Sequence, residues 1–317
     1  MKRDYFTKSD AGQTYLLVII VQLVSVILLS LIPGSIFQKN EALYFCYNML
    51  FQSLFIEGAI LVAVLFFNSK KKIDTFSGIE FKTKTDWVNL LICVLMSVLV
   101  LFLTYHFFNY IDDAFVSLGL HESKTGEPFN TWKSINTWPK FIGGVFVMAL
   151  VPAFVEEVVF RGSLLHGLKQ YTMIGAVLLS SVCFALFHTS VFQLFYQLYL
   201  AIIFALVVSF TQDIKLSMIM HFINNLLVLF FEFLNQRFGF TWFFFKTIPL
   251  WATIIMFVVC TALIVSLVYI IKRRNEKKIK KHVVVKVYYK ENLIANLMLY
   301  GTMFVYLVVG ITNGLVA

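Results

Sequence analysis

Charged residues are scarce in this chain: they make up 14% of its 317 residues, whereas 60% are hydrophobic. Soluble domains contain roughly a quarter charged residues, so this composition excludes an ordinary soluble protein and indicates one that lies in lipid. Length alone would suggest two soluble domains, but here it is better counted in membrane spans of about 20 apolar residues each.

Cysteine and several protease motifs are also rare or missing. The four cysteines lie inside apolar segments without CxxC spacing, which argues against a disulfide framework and against a zinc knot. The sequence has no HExxH motif of a zincin and no GxSxG elbow of a serine hydrolase. It also has no Gly-Asp pair of the aspartyl intramembrane type. These absences exclude three common protease chemistries.

Long hydrophobic runs account for most of the chain and predict an all-α fold. In lipid such runs form helices, because a helix satisfies its backbone hydrogen bonds internally. We therefore predict a polytopic helical bundle of about eight or nine transmembrane helices. The predicted spans are Thr14–Ile32, Ala42–Phe67, Trp87–Ile111, Phe141–Phe160, Met173–Phe187, Phe192–Phe210, Leu216–Leu234, Leu250–Ile271 and Leu293–Val316.

The net charge of +9 does not predict a nucleic-acid partner, because Lys and Arg lie between the spans and form no basic face or binding motif. Lys and Arg are concentrated in alternate connections, as they are in cytoplasmic loops. We therefore predict a multi-pass protein of the cell membrane with a cytoplasmic N-terminus. The connections that are rich in Lys and Arg include Lys2 to Lys8, Lys70 to Lys84, Lys215 and the tract Lys272 to Lys290.

Ionisable residues at membrane depth are expensive and mark candidate functional sites. The first group is Glu156, Glu157 and Arg161, at the end of the fourth predicted span. Glu157 and Arg161 are four residues apart and share a helix face, which predicts an ion pair. Glu156 lies about 100° around the helix and keeps its carboxylate for another task. Pro152 removes one backbone hydrogen bond nearby and predicts a kink.

Two further polar groups lie in later spans. A hairpin turning near residues 171–173 would place His188 at the depth of the two glutamates. His221 and Asn225 are four residues apart on one face of the seventh span, whereas Asn224 faces elsewhere. Simple counting leaves His221 nearer the cytoplasmic edge than His188 by about 10 Å, which tilt or a later helix start must absorb.

These groups together supply what peptide hydrolysis needs. A carboxylate and a histidine can position and deprotonate a water molecule. A second histidine and an asparagine amide can donate hydrogen bonds to the oxyanion of the tetrahedral intermediate. Alternatively, Glu156, His188 and His221 could hold Zn²⁺ and leave an open position for water. The residues alone leave the choice between zinc and no metal open.

The three groups resemble the signature of the CPBP family, also called Abi, which includes the type II CAAX prenyl endopeptidases and bacteriocin-processing proteins. Its motifs are EExxxR, then FxxxH, then HxxxN or HxxxD, each on a membrane helix, and the resemblance covers about residues 141–230. The matching residues here are Glu156, Glu157, Arg161, Phe184, His188, His221 and Asn225.

The resemblance implies an intramembrane endopeptidase, of a family often described as metalloproteases, that acts on a peptide or membrane-protein substrate within the lipid bilayer. By the same resemblance, Glu156 and His188 activate the water, His221 and Asn225 stabilise the oxyanion, and the Glu–Arg pair of the first motif is structural. The resemblance also divides the chain into N-terminal helices at 1–140, a catalytic core at 141–234 and C-terminal helices at 235–317 with a basic loop at 272–292.

Two other functions compete with this interpretation. The first is a non-proteolytic membrane scaffold or bacteriocin self-immunity factor with the same fold, although binding would not require all six polar positions. The second is a small transporter in which Glu57, in the middle of the second span, relays protons with the glutamate pair. Transporters often show paired repeats with broken helices, and no repeat is visible here.

Overall fold

The computed structural model describes residues 5–33, 36–37, 40–47, 54–120, 135–169, 172–240, 248–281 and 293–316. Within these ranges the chain is helical and contains no strand. The helices are α1 Lys8–Ser30, α2 Glu41–Phe45, α3 Leu54–Lys70, α4 Thr75–Gly78, α5 Trp87–Ser117, α6 Trp138–Leu168, α7 Met173–Phe187, α8 Val191–Thr211, α9 Ile214–Phe238, α10 Leu250–Lys281 and α11 Leu293–Val316.

The predicted helical bundle is confirmed. Seven helices in the described part of the chain are long and apolar enough to cross a membrane, namely α1, α5, α6, α8, α9, α10 and α11. Helix α7 is apolar but shorter, and it has the predicted bounds. The second predicted span contains α2 and α3, between which residues 48–53 lie outside the described residues.

Polar caps mark where the hydrophobic helices begin. Helix α1 starts with a capping box, in which Thr7 Oγ1 accepts from the Asp10 amide at 3.2 Å and the Thr7 amide donates to Asp10 Oδ2 at 2.8 Å. The side chain of Asp86 caps α5, and that of Asp213 caps α9. Such caps satisfy N–H groups that have no partner within the helix.

Two hydrophobic clusters surround the middle of α6 and α8. One joins α1, α3, α6, α7 and α8, with Tyr15, Phe160 and Phe184 fully buried in it. The other joins α5, α8, α9 and α10. Helix α11 packs along α1, also contacts α7, and contributes Leu299 and Tyr306 to the first cluster. The polar residues of the three sequence motifs lie on α6, α7 and α9, between these clusters.

Helix α6 contains two π-helical turns, Val145–Leu150 and Val158–Leu164. The first directly precedes Pro152, where the sequence predicts a kink. Proline has no N–H group to donate to the carbonyl of Met148, four residues earlier. A wider turn at such a position is common near functional sites. The helix then continues to Leu168, so the glutamate pair lies within the helix and not at its end.

The connection between α3 and α5 packs against α6 and the start of α9. Ile79 is fully buried, and a Cβ atom added to Gly162 would lie 2.7 Å from the Cγ2 atom of Ile79. Thr85 Oγ1 donates to Asp213 Oδ2 at 2.7 Å, at the start of α9. These contacts join the N-terminal helices to α6 and α9.

The predicted basic loop at 272–292 lies partly outside the described residues. Its first part continues the helix α10 to Lys281, and residues 282–292 are not described.

We expect Gly167→Ala to destabilise the protein, because α6 crosses the start of α1 at this residue. A Cβ atom there would lie 2.7 Å from the Thr7 carbonyl oxygen and 2.8 Å from the Ala11 Cβ atom. Overpacking of this kind costs about 1–3 kcal/mol. Thermal unfolding in detergent would measure it. The control is Gly301→Ala, since nothing lies within 4 Å of its added Cβ atom. Equal melting temperatures for the two variants would contradict the expectation.

Candidate active site

Glu157 and Arg161 form a buried ion pair on one face of α6, as the i, i+4 spacing predicts. Arg161 Nη1 lies 2.8 Å from Glu157 Oε1, and the two side chains are 1% and 0% exposed. The guanidinium carbon of Arg161 lies 4.1 Å from the centroid of the Phe184 ring. An ion pair this deep depends on each partner, because a lone charge there would be very costly.

Helix α9 brings His221 against this ion pair. Its Nδ1 atom lies 3.1 Å from Glu157 Oε1, and its Nε2 atom lies 4.0 Å from Glu156 Oε2. Because a carboxylate oxygen bound by Arg161 accepts hydrogen bonds, Nδ1 carries the proton in neutral His221 and Nε2 carries the lone pair. The rings of Phe184 and Phe204 lie 5.8 and 5.6 Å from the imidazole and enclose it.

His188 directly follows Phe187, the last residue of α7, and approaches the same oxygen of Glu156. Its Nε2 atom lies 3.9 Å from Glu156 Oε2, and its Nδ1 atom lies 3.1 Å from the Phe184 carbonyl oxygen. A carbonyl can only accept, so Nδ1 donates and the lone pair is on Nε2. The hairpin register expected from the sequence therefore brings His188 opposite Glu156.

The imidazole rings of His188 and His221 both approach the same carboxylate oxygen, Glu156 Oε2. Glu156 Oε2 is buried and has no hydrogen-bond partner among the described residues. The two separations of 3.9 and 4.0 Å are too long for direct hydrogen bonds, but they suit bridging by a water molecule. This arrangement can hold a water molecule between a carboxylate and two imidazole nitrogens.

Asn225 is not hydrogen-bonded to either histidine. Its Nδ2 atom donates to the Met148 carbonyl oxygen at 3.1 Å. Pro152, four residues after Met148, has no N–H group to donate to that carbonyl. Asn224 Nδ2 donates to Asn225 Oδ1 at 3.3 Å, and Tyr196 of α8 donates to Asn224 Oδ1 at 2.6 Å. Two neighbouring asparagines in a membrane helix predict a polar partner. Only the tertiary structure shows that the partners are the Met148 carbonyl oxygen and the Tyr196 hydroxyl.

Glu57, the residue that the transporter interpretation uses as a proton relay, lies on a helix that packs against the candidate site. It is in the first turn of α3, which contacts the part of α6 that carries the glutamates. Its Oε2 atom is buried without a hydrogen-bond partner among the described residues. The three sequence motifs do not include Glu57, because it lies on a different helix, about a hundred residues away from them.

Glu156, His188 and His221 are the residues that could alternatively hold Zn²⁺. In the described part of the chain, no group of three or more His, Cys, Asp and Glu side chains is arranged to hold a metal ion. The two histidines both approach a single oxygen of Glu156, at 3.9 and 4.0 Å.

Residues 138–227 match the family model described as Rce1-like, type II CAAX prenyl endopeptidase Rce1-like. Over these residues, called the Rce1-like segment, the chain is similar to that family. No curated protein and no solved structure matches the chain. The Rce1-like segment runs from the start of α6 into α9, and it contains all six predicted site residues, namely Glu156, Glu157, Arg161, His188, His221 and Asn225.

The match confirms the resemblance seen in the sequence and agrees with its predicted extent of about 141–230. With seven helices that can cross a membrane in the described residues, it marks a multi-pass membrane protein. The cytoplasmic N-terminus, the cell membrane as location and a link to bacteriocin immunity stay predictions.

Proposed function

We propose that this protein is an intramembrane endopeptidase that hydrolyses a peptide bond in a membrane-associated peptide or protein. The observation that carries the proposal is the convergence of His188 Nε2 and His221 Nε2 on Glu156 Oε2, at 3.9 and 4.0 Å. The Rce1-like segment supports the same activity, because its family model is named for endopeptidases.

The first step is activation of water. A water molecule between Glu156 and His188 donates one hydrogen bond to the carboxylate and one to the Nε2 lone pair. Its own lone pair is then free to attack the carbonyl carbon of the substrate. As the C–O bond forms, the proton moves to Glu156 and the carbonyl π electrons move to the oxygen. A dry site strengthens these interactions, because the local dielectric is low.

The second step is stabilisation and collapse of the tetrahedral oxyanion. In this proposal His221 stabilises the oxyanion, and Glu157 fixes the orientation of its imidazole ring through the 3.1 Å contact with Nδ1. Glu156 then returns its proton to the leaving amine as the C–N bond breaks. In this proposal, Arg161 keeps Glu157 ionised and in place, and Asn225 contributes an amide donor from the next turn of α9.

Cleavage by the purified protein in liposomes tests the proposal. Candidate peptides and lipopeptides would be incubated with the full chain, and products would be identified by mass spectrometry. We expect a new N-terminus at one peptide bond. A parallel sample treated with a chelator should retain its activity if the side chains suffice, whereas loss that added Zn²⁺ reverses would show a metal requirement. No cleavage of any candidate, with a cellular phenotype that persists when Glu156 is replaced, would support the scaffold or immunity function instead.

A proton-coupled transporter is the second candidate, favoured by the buried and unpartnered Glu57 Oε2 atom on a helix that packs against the one that carries Glu156. Acidic residues that interact within a membrane are typical of proton relays. Proteoliposomes loaded with a pH-sensitive dye would distinguish the two functions. Substrate-driven proton flux without peptide cleavage would support transport, and cleavage without flux would support the protease.

A further inference from the structure

The turn that follows His188 is strained. Helix α7 ends at Phe187, His188 keeps helical dihedral angles, and Thr189 has a φ of 50°. Glycine normally occupies a left-handed residue after a helix, because it has no Cβ atom. A β-branched residue such as threonine rarely adopts this conformation, so surrounding contacts must hold it.

Both carbonyl groups that flank His188 are held by side chains from outside the Rce1-like segment. Asn313 of α11 donates from Nδ2 to the Thr189 carbonyl oxygen at 3.1 Å. Gln22 of α1 donates from Nε2 to the Phe187 carbonyl oxygen at 3.4 Å, and Tyr306 of α11 donates to Gln22 Oε1 at 2.7 Å. Carbonyls at a helix C-terminus have no partner within the helix, so such donors replace the missing bonds.

Helix α11 can lie this close to the turn because its facing residues are small. A Cβ atom at Gly310 would lie 3.6 Å from the Thr189 carbonyl carbon, and one at Gly314 would lie 3.2 Å from Val191 Cγ2. Glycines four residues apart allow helices in membranes to approach closely. The amide of Asn313 therefore reaches the Thr189 carbonyl directly.

We propose that Asn313 is a positioning residue that holds Thr189 in its left-handed conformation and thereby fixes His188 relative to Glu156. This inference rests on the proposed protease function. His188 is a helix-terminal residue, so a change in the dihedral angles of Thr189 redirects the chain just after it. The 3.9 Å separation of His188 Nε2 from Glu156 Oε2 depends on that turn. A displacement of about 1 Å at a reacting group can cost up to about a hundredfold in rate.

Three variants test the inference by kinetics, namely Asn313→Ala, Thr189→Gly and the two combined. We expect Asn313→Ala to lower kcat by about tenfold with KM within about twofold, because misplacement of a catalytic group affects the chemical step. Thr189→Gly should restore the combined variant to within about twofold of wild type, because glycine adopts a positive φ without help. The control is Thr312→Ala, whose exposed hydroxyl bonds to Val308 of its own helix.

Two outcomes would overturn the inference. One is an unchanged kcat for Asn313→Ala, and the other is a combined variant as slow as Asn313→Ala alone, which would indicate a purely structural role for Asn313. Hydrogen exchange over residues 186–191 gives a test without substrate. It should be faster in Asn313→Ala than in wild type and in Thr312→Ala. If wild type cleaves nothing, the proposed function fails, and equal exchange in all three proteins would separately refute the role of Asn313.

Discussion

Glu156→Gln is expected to abolish measurable cleavage, with kcat lowered by about 10²–10⁴-fold. Glutamine has the size and shape of glutamate, but it cannot take a proton from water or return one to the leaving amine. The buried and unpartnered Oε2 atom of Glu156, beside two imidazole nitrogens, is the reason that we assign it this role. The measurement is the initial rate of product formation by purified protein in liposomes.

The matched control for this prediction is Glu232→Gln, which lies on α9 beyond the candidate site. Its carboxylate accepts from Gln236 at 2.7 Å, one helical turn away. This variant should cleave at the wild-type rate. If Glu156→Gln kept more than half of the wild-type rate, Glu156 would not be the general base, and the assignment of the water-activating group would be wrong.

Arg161→Met is expected to be the most destabilising substitution near the site. It leaves the Glu157 carboxylate, which is 0% exposed, without its buried counter-charge. Removal of one partner of a buried ion pair costs about 3–5 kcal/mol in the free energy of unfolding. Unfolding in mixed detergent micelles, followed by circular dichroism, would measure this loss.

Two comparisons separate the buried charge from a general loss of packing. The double variant Arg161→Met with Glu157→Leu removes both charges and should recover much of the lost stability, because replacing a whole buried pair by apolar residues is often neutral. Arg273→Met breaks only exposed contacts, a pair with Glu276 and a hydrogen bond to the Tyr269 hydroxyl, and should leave stability nearly unchanged. A double variant as unstable as Arg161→Met would contradict the electrostatic explanation.

The sequence predicted the helices well because their signal is local. In the described residues, eight of the nine predicted spans each correspond to one helix, the second contains α2 and α3, and α7 and α11 have the predicted bounds. The Glu157–Arg161 pair was also predictable, since residues four apart on a helix are neighbours whatever the tertiary fold. The assignment of roles to the six site residues remains a prediction that the proposed experiments test.

The depth of the site was harder to predict. Counting from span ends left His221 and His188 about 10 Å apart in depth, yet both lie within 4.0 Å of Glu156 Oε2. The count placed both histidines on straight helices that run perpendicular to the membrane, and it required tilt or a later helix start to bring them together. Helix α9 begins at Ile214, two residues before the predicted start of its span, so a later start does not explain the approach.

Composition, hydrophobic periodicity and motif spacing determine that this chain forms membrane helices and which polar residues those helices carry. Only the tertiary structure decides which of these residues meet. The helix that carries Glu57 packs against the helix that carries Glu156, Asn225 binds the Met148 carbonyl, and Asn313 binds Thr189, 124 residues away. Such contacts depend on how helices tilt and pack against one another, and a pattern within one helix carries no information about the face that its neighbour presents.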